Sequence, residues 1–349
     1  MRYNKLGRTD VTISNICLGS MTWGEQNSEQ EAWDQMDYAA GKGINFIDTA
    51  ELYPVPRKRE TFGRTEEYIG TWLQERGGRD KIILGTKVVG RSDADWFRAN
   101  ASITRLNRQQ ITEALEQSLK RLKTDYVDLY QLHWPDRPLN IFSDSRGYVH
   151  NDQDDIIPLS ETLAVLGDLV KQGKIRHIGL SNETAWGTMK CLHHAEQSDV
   201  PRVQSIQNAY NLMNRLFEQD LAEVPLREEA SLLAYSPIGG GALSGKYLKG
   251  ALPQGSRHHL FPDFSTRYTG SSAVAAIEKY SALAADMGVT LTQLAHKFVD
   301  SRPFVASSII GATTMAQLSE NIAAFDLDWT DELEQAVNDI HLQNPDPAP

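Results

Sequence analysis

The sequence predicts an α/β protein, a closed (β/α)8 TIM barrel occupying residues 1–349 as a single domain, and three observations carry that expectation. Short β-branched or apolar runs alternate with amphipathic helical patterns along the chain, the signature of a parallel sheet covered by helices. The strand runs are continuously apolar, as strands buried on both faces are. Eight such runs occur without a linker or a shift of composition, which favours one barrel over two doubly wound domains.

The elements follow in order. Residues 2–15 hold two alternating runs around Gly7-Arg8-Thr9-Asp10, a hairpin placed to plug the barrel bottom. Strands are expected at 13–18, 44–47, 82–86, 126–132, 175–180, 203–207, 231–235 and 307–311. Helices are expected at 28–41, 64–76, 109–122, 160–172, 184–197, 217–229 and 315–325. The first of these opens on Ser28 with Glu31 three residues on, a capping box, and Gly41 and Gly43 close it. Three connections, 88–107, 134–158 and 236–271, are too long for simple turns. Each follows a strand and so emerges at the C-terminal face, where barrel chemistry sits. They carry Trp96, Trp134, Phe142, Tyr148, Phe261, Phe264 and Tyr268 as candidate pocket walls. The Pro-rich end, 343–349, reads as a fraying tail.

Bulk properties narrow the function. Charged residues make up 23% and apolar residues 40%, a globular balance, and no apolar run reaches the roughly 20 residues that span a bilayer. The N-terminus lacks the apolar core of a signal peptide, and Cys17 and Cys191 sit in apolar patterns as buried thiols; both point to a cytoplasmic protein. A formal net charge of −11 argues against nucleic acid or an acidic membrane as partner.

Chemistry concentrates at strand ends. Asp48 closes the second strand, with Tyr53 five residues on; Lys87 closes the third and His133 the fourth. Neighbouring strands lie roughly 5 Å apart, so these side chains can converge. A phenol titrates near 10 and donates poorly at neutral pH; an ammonium beside it lowers that value, and a carboxylate orients the ammonium. His133 can hydrogen-bond the phenol or the reacting oxygen. The set is a tuned proton donor for an oxygen on which charge develops. Each residue alone has a plain structural reading; three consecutive strand ends together do not.

A second theme is anion binding. No Gly-x-Gly-x-x-Gly follows the first strand, which disfavours a Rossmann site. Gly240-Gly241-Ala242-Leu243-Ser244-Gly245-Lys246 nearly spells a nucleotide-binding P-loop, but Tyr247 stands where a magnesium-binding hydroxyl is required. Those glycines with Lys246, after the seventh strand, and Gly311 to Thr314, after the eighth, read as two adjacent anion cradles, which suits a dinucleotide. Tyr235 ends the seventh strand, where it can stack on a flat ring. The histidines show no strand-end metal cluster, so a metal-dependent hydrolase is disfavoured and no metal ligand is assigned.

These residues, in this order, resemble the aldo-keto reductases, and within them the bacterial Tas-type members. The likeness runs through Leu18-Gly19-Ser20-Met21-Thr22, Asp48 and Tyr53, Lys87, His133-Trp134-Pro135, Gly179-Leu180-Ser181-Asn182, Gln207-Asn208, Tyr235-Ser236-Pro237, Ser244-Gly245-Lys246-Tyr247 and Gly311 to Asn321. It implies reversible NADPH-dependent reduction of a small aldehyde or ketone, with Tyr53 as proton donor and Asp48, Lys87 and His133 completing a tetrad. It further implies that Ser181, Asn182 and Gln207 hold the nicotinamide carboxamide above Tyr235, with Ser20 and Met21 nearby. Ala234, Tyr235, Ser236, Pro237, Ile238, Gly239, Gly240, Gly241, Ala242, Leu243, Ser244 and Lys246 would wrap the pyrophosphate. Gly311, Thr313, Gln317, Glu320 and Asn321 would take the adenosine end. Many members of the family carry an arginine where this chain has Gln317; Arg257 resembles the replacement seen in other branches and would grip the 2′-phosphate of NADP+. Trp23 and Trp134 are expected to wall an apolar or aromatic carbonyl substrate. Because related barrels also serve as cofactor-binding subunits, a regulatory or redox-sensing subunit with incidental reductase activity is the alternative.

Overall fold

A computed structural model describes residues 1–100, 103–140, 150–151, 153–264 and 266–349. Ten strands are present among them: β1 (Tyr3–Lys5), β2 (Thr12–Ser14), β3 (Ile16–Gly19), β4 (Phe46–Asp48), β5 (Ile83–Val88), β6 (Val127–Leu132), β7 (Ile175–Ser181), β8 (Val203–Ala209), β9 (Ser231–Tyr235) and β10 (Val305–Ile310). β3 to β10 form a closed parallel barrel, β10 returning to β3 with Ser308 opposite Ile16. β1 and β2 pair antiparallel as the expected hairpin.

The expected first strand, 13–18, divides in two. Ile13 belongs to the hairpin and Ile16 opens the barrel, with Asn15 as the corner between them. The corner is held by its own polar groups: Asn15 Nδ2 donates to Asp300 Oδ1 at 2.8 Å and its backbone N–H to Arg2 O at 2.9 Å. The division drops Leu6 and Ile13 onto the barrel floor, fully buried against Cys17, Phe46, Leu129, Leu233 and Ile309. Burying two such side chains contributes about 1.5–3 kcal/mol each and closes the lower mouth to water.

Helices cover the outside. The first, Glu29–Gly41, begins as the capping box requires: Ser28 Oγ accepts from Glu31 N and Glu31 Oε2 from Ser28 N. Helices at Arg64–Arg76, Arg108–Leu122, Leu159–Lys171 and Ala185–Gln197 match expectation within a residue or so. The pattern at 217–229 breaks into Phe217–Asp220 and Glu223–Glu228, because Pro225 has no N–H to bond back to Leu221. Four further α-helices among the described residues, Arg257–Leu260, Ser271–Asp286, Leu291–Asp300 and Asp331–Gln343, lie outside the expected set.

The tail does not fray. Ala348 N donates to Met213 O at 3.1 Å, Asp346 Oδ1 accepts from Arg215 N at 2.6 Å, and Ala348 is 1% exposed. Composition favoured fraying; one backbone bond, one carboxylate–backbone bond and a buried methyl override it. Deleting 345–349 is therefore expected to lower unfolding stability by about 2 kcal/mol, the sum of these small contributions. Urea unfolding checks this, and an unchanged midpoint would show that the tail adds nothing.

Candidate active site

The polar layer stands one level above the barrel's apolar floor. β4 ends in Asp48, β5 carries Lys87, β6 carries Gln131 and β8 carries Gln207. Lys87 is 0% exposed, and its Nζ donates to Asp48 Oδ2 at 2.5 Å and to Thr49 O at 2.7 Å. Asp48 Oδ1 accepts from Gln131 Nε2 and from Gln207 Nε2, both at 2.9 Å. Burial works to strip the lysine of its proton, but Asp48 and Tyr53 outweigh it, and the Lys87 pKa ends above its ordinary value. The ammonium is thus kept charged inside the barrel, as the sequence reading requires.

Tyr53 lies over this pair, half-buried, with the Lys87 ammonium 4.9 Å from its ring centroid. The His133 ring meets it edge-on at 5.8 Å. The tetrad residues are therefore together. The direction of the phenol's shift, however, is corrected: burial raises its pKa, and this exceeds the lowering by the Lys87 charge and hydrogen bond. In this structure the phenol holds its proton more firmly than a free tyrosine does. His133 is pushed well below its ordinary pKa by burial and then by Lys87, so its imidazole is neutral. Its Nδ1 has no hydrogen-bond partner among the described residues.

β7 and β9 supply the adjoining wall. Ser181 Oγ donates to Gln207 O at 2.8 Å. Asn182, at φ 51°, donates from Nδ2 to His133 O at 2.9 Å and accepts at Oδ1 from the Tyr235 hydroxyl at 2.7 Å. Asn tolerates this left-handed backbone better than most residues. Ser20 Oγ is occupied internally, donating to Asp48 O at 2.8 Å, so its hydroxyl is not offered to the cleft; Met21 beside it is half-buried.

Beyond β9 the chain turns through Gly239 (φ 55°), Gly240 (φ 63°) and Gly241 (φ 101°), a run only glycine adopts cheaply. Ala234 and Leu243 are fully buried and Ala242 nearly so, so these three shape the cradle from behind. Ser236 takes φ 55°, and its carbonyl accepts from Asn211 Nδ2 at 2.9 Å. Pro237 and Ile238 complete the turn, and Ile238 packs on the main core. Ser244 Oγ donates to Gly241 O at 2.8 Å, and a Cβ on Gly241 would stand 3.1 Å from Lys246 Nζ. Arg257, half-buried in the same loop, has its pKa lowered by burial. Neither Lys246 nor Arg257 has a carboxylate partner among the described residues. Two cations in the loop that follows the glycine turn, without a counter-charge among the described residues, are groups that an anion would satisfy.

After β10 the picture differs in detail. Thr313 N and Oγ1 both donate to Gln317 Oε1, at 2.9 and 3.0 Å, so this N–H is already satisfied rather than free for a ligand. Glu320 Oε1 accepts from Thr290 Oγ1, and Asn321 Nδ2 donates to Gly311 O at 3.1 Å. Gln317, Glu320 and Asn321, at i, i+3 and i+4, do share one face of the helix Met315–Ala323.

Trp23 is a correction. It is 0% exposed, its Nε1 donates to Gln35 Oε1 at 3.0 Å, and it belongs to the main core, so it walls no pocket. Trp134 remains half-buried beside Tyr53, its Nε1 on Arg91 O at 2.8 Å. Trp96 joins it on the same small cluster, stacked on Phe97 at 4.0 Å. Tyr268 is buried against Gly239, whereas Phe142 and Tyr148 lie outside the described residues.

Two parts of the site escaped sequence reading. Gln131 sits in the middle of a strand and shows no more than a polar residue in an apolar run. Glu51 and Arg98 form a buried pair, 2.8 and 2.9 Å across two nitrogens, and Glu51 Oε1 also accepts from Val89 N at 2.7 Å. This clasp joins the Tyr53 segment to the loop that carries Trp96. Arg98→Met leaves a buried carboxylate unpaired and is expected to cost about 3–5 kcal/mol of stability. Chemical denaturation reads this, and a loss under 1 kcal/mol would show that solvent replaces the arginine.

With this geometry established, comparison with known proteins gives one answer. A model described as the aldo/keto reductase family matches residues 15–341. The chain is 46% identical to Protein tas of Escherichia coli (strain K12), over all of both chains. It is 32% identical to the uncharacterized oxidoreductase YrpG of Bacillus subtilis (strain 168), over 97% of this chain and 96% of that one. It is 29% identical to a probable voltage-gated potassium channel subunit beta of Arabidopsis thaliana, over 94% and 92%. A barrel whose strand ends gather an acid, a lysine, a phenol and an imidazole, matched almost end to end by such relatives, belongs to the aldo/keto reductase family and is an oxidoreductase fold by descent.

Proposed function

We propose that the protein is an NADPH-dependent carbonyl reductase working reversibly on small aldehydes or ketones, and that residues 1–349 act as one catalytic domain. The observation that carries this is the buried Lys87–Asp48 pair beneath a half-buried Tyr53. Such an arrangement serves no evident packing need and aims a proton donor at the cleft.

The residues present fit a phosphorylated dinucleotide. Lys246 lies against the glycine turn and Arg257 follows in the same loop; both lack counter-charges among the described residues, and an anion would supply the missing charge. The cofactor, when bound, supplies a hydride to the carbonyl carbon. Everything else falls to the protein. Tyr53 delivers its hydroxyl proton to the carbonyl oxygen as charge develops there, with Lys87 stabilising the phenolate that remains. Neutral His133 orients the oxygen. Asn182, Ser181 and Tyr235 would hold the nicotinamide end; Gln207, whose N–H groups are committed to Asp48 and Gln131, would have only its Oε1 left to offer a ligand. Met21, the glycine turn, and Gly311 with Thr313, Gln317, Glu320 and Asn321 would line the rest of the cofactor's path, with Ser20 behind them bonded to Asp48 O. Trp134 and Trp96 offer the substrate an apolar aromatic wall.

A second reading, a cofactor-binding subunit of a larger assembly, draws support from the channel-subunit name of one relative. Negligible turnover on a broad carbonyl panel, together with a partner captured only in one redox state of the cofactor, would favour it.

Removing the donor while keeping the ring tests the reductase reading. Tyr53→Phe is expected to lower carbonyl-dependent NADPH oxidation by about 10²–10⁴-fold, the usual worth of a general acid, with NADPH binding kept; near-normal turnover would refute the mechanism. Because burial raises the phenol pKa, the reduction rate should stay level through neutral pH and fall only in the alkaline range. A fall beginning below pH 8, about two units under a free phenol, would contradict it. Arg257→Ala should reduce the preference for NADPH over NADH by about tenfold or more if this guanidinium grips the extra phosphate, since such charge-assisted bonds are strong. Steady-state kinetics with both cofactors decides, and an unchanged ratio would remove Arg257 from the site.

A further inference from the structure

We propose that Gln131 is a positioning residue for the proton donor, acting on Tyr53 through Asp48 and Lys87; the inference rests on the reductase reading above. Gln131 is 0% exposed at the middle of the barrel, with Lys87 on one side in register and Gly179 on the other. Its Nε2 donates to Asp48 Oδ1 at 2.9 Å, and its Oε1 accepts from Gln207 Nε2 at 3.0 Å. Gln207 Nε2 also donates to Asp48 Oδ1 at 2.9 Å. Side chains from β4, β6 and β8 thus close a small ring of hydrogen bonds across the barrel.

The ring needs an amide at this position. A glutamate would set a second carboxylate against Asp48, and one of the two would have to take up a proton. A leucine or methionine would leave Asp48 Oδ1 with one donor and Gln207 one acceptor short in a site without water access, which is costly. The barrel leaves room for the long amide: a Cβ on Gly179 would stand 3.2 Å from Gln131 Cγ, and one on Gly85 would stand 3.5 Å from Nε2.

The consequence reaches Tyr53 by geometry. The Lys87 ammonium has three N–H groups, and two go to Asp48 Oδ2 and Thr49 O. Tetrahedral geometry then sets the direction of the third, on the side of Tyr53. If Asp48 is free to rotate, the third N–H loses its aim. Asp48 rotates less when Oδ1 is held by two amides than when held by one. Gln131 therefore governs how well the phenolate is stabilised and not how well the substrate is held.

The test compares Gln131→Met and the near-isosteric Gln131→Glu with Tyr53→Phe as reference, using NADPH and one reducible carbonyl compound. For Gln131→Met, kcat is expected to fall about tenfold with KM and the NADPH Kd within about twofold, because an interaction made only in the transition state is lost. The alkaline limb of the pH–rate profile should also move by about half a unit or more, since the Lys87 field on the phenol changes. Gln131→Glu should lose more turnover than Gln131→Met, and it carries the same test if the methionine variant fails to fold. Folded variants with wild-type kcat and an unmoved alkaline limb would overturn the proposal and leave Gln131 a packing residue. If they behave so while Tyr53→Phe is inactive, only this inference fails; if Tyr53→Phe itself turns over normally, the reductase reading fails first.

Discussion

A lysine with no exposure to solvent, paired with an aspartate on the neighbouring strand, is the constraint around which this barrel is arranged. An isolated charge at that depth would cost several kcal/mol, and the pair persists because each partner is hydrogen-bonded to neighbours as well as to the other. Asp48 takes the ammonium on one oxygen and two amides on the other; Lys87 gives its remaining donors to a carbonyl and toward a phenol. Below the pair, Leu6 and Ile13 from the hairpin seal the floor, so water cannot reach it from that side. Above it, Tyr53 and His133 form the boundary with the cleft. The barrel's polar middle layer is thus bracketed by an apolar floor and an aromatic lid, and its charge is directed at one hydroxyl.

The upper rim repeats this use of buried ionic contacts on a larger scale. Asp136, just after the fourth barrel strand, accepts from both faces of Arg105, from Leu106 N and from Ile157 N, the last two at 3.0 Å. One carboxylate thereby joins three separate stretches of the long connections. Glu51 and Arg98 do the same between the Tyr53 segment and the loop bearing Trp96. Long loops with few apolar residues cannot be held by a core of their own, and buried, bidentate pairs hold them through geometry. The aromatic wall beside Tyr53 is positioned by these pairs.

Particular residues show why some of this was legible in the chain and some was not. Ser28 with Glu31, the strand runs after the first and the turn at Gly7 are local signals whose physics is complete within a few residues, and the structure agrees with them. Trp23 looked like a pocket residue because an aromatic follows the first barrel strand; it turned inward once Gln35, on a helix further along, offered its carbonyl. The tail at 343–349 read as fraying from its composition until Met213 and Arg215, far back in the chain, supplied partners. The sign of the Tyr53 shift depends on how deeply the ring is covered, which its neighbours in sequence do not state.

What the sequence by itself determined is the periodic framework: eight strands, the helices between most of them, and the strand-end placement of Asp48, Lys87 and His133, with Tyr53 just beyond the second. These follow from hydrophobic period and local propensity, which act over short separations. Only the tertiary structure decided that Gln131 and Gln207, 76 positions apart, meet on Asp48, and that Glu51 clasps Arg98. It alone shows Lys246 against Gly241, and neither Lys246 nor Arg257 with a counter-charge among the described residues. Hydrogen-bond partnership across a closed barrel is set by register and radius, properties of the assembled sheet that no single stretch of chain contains.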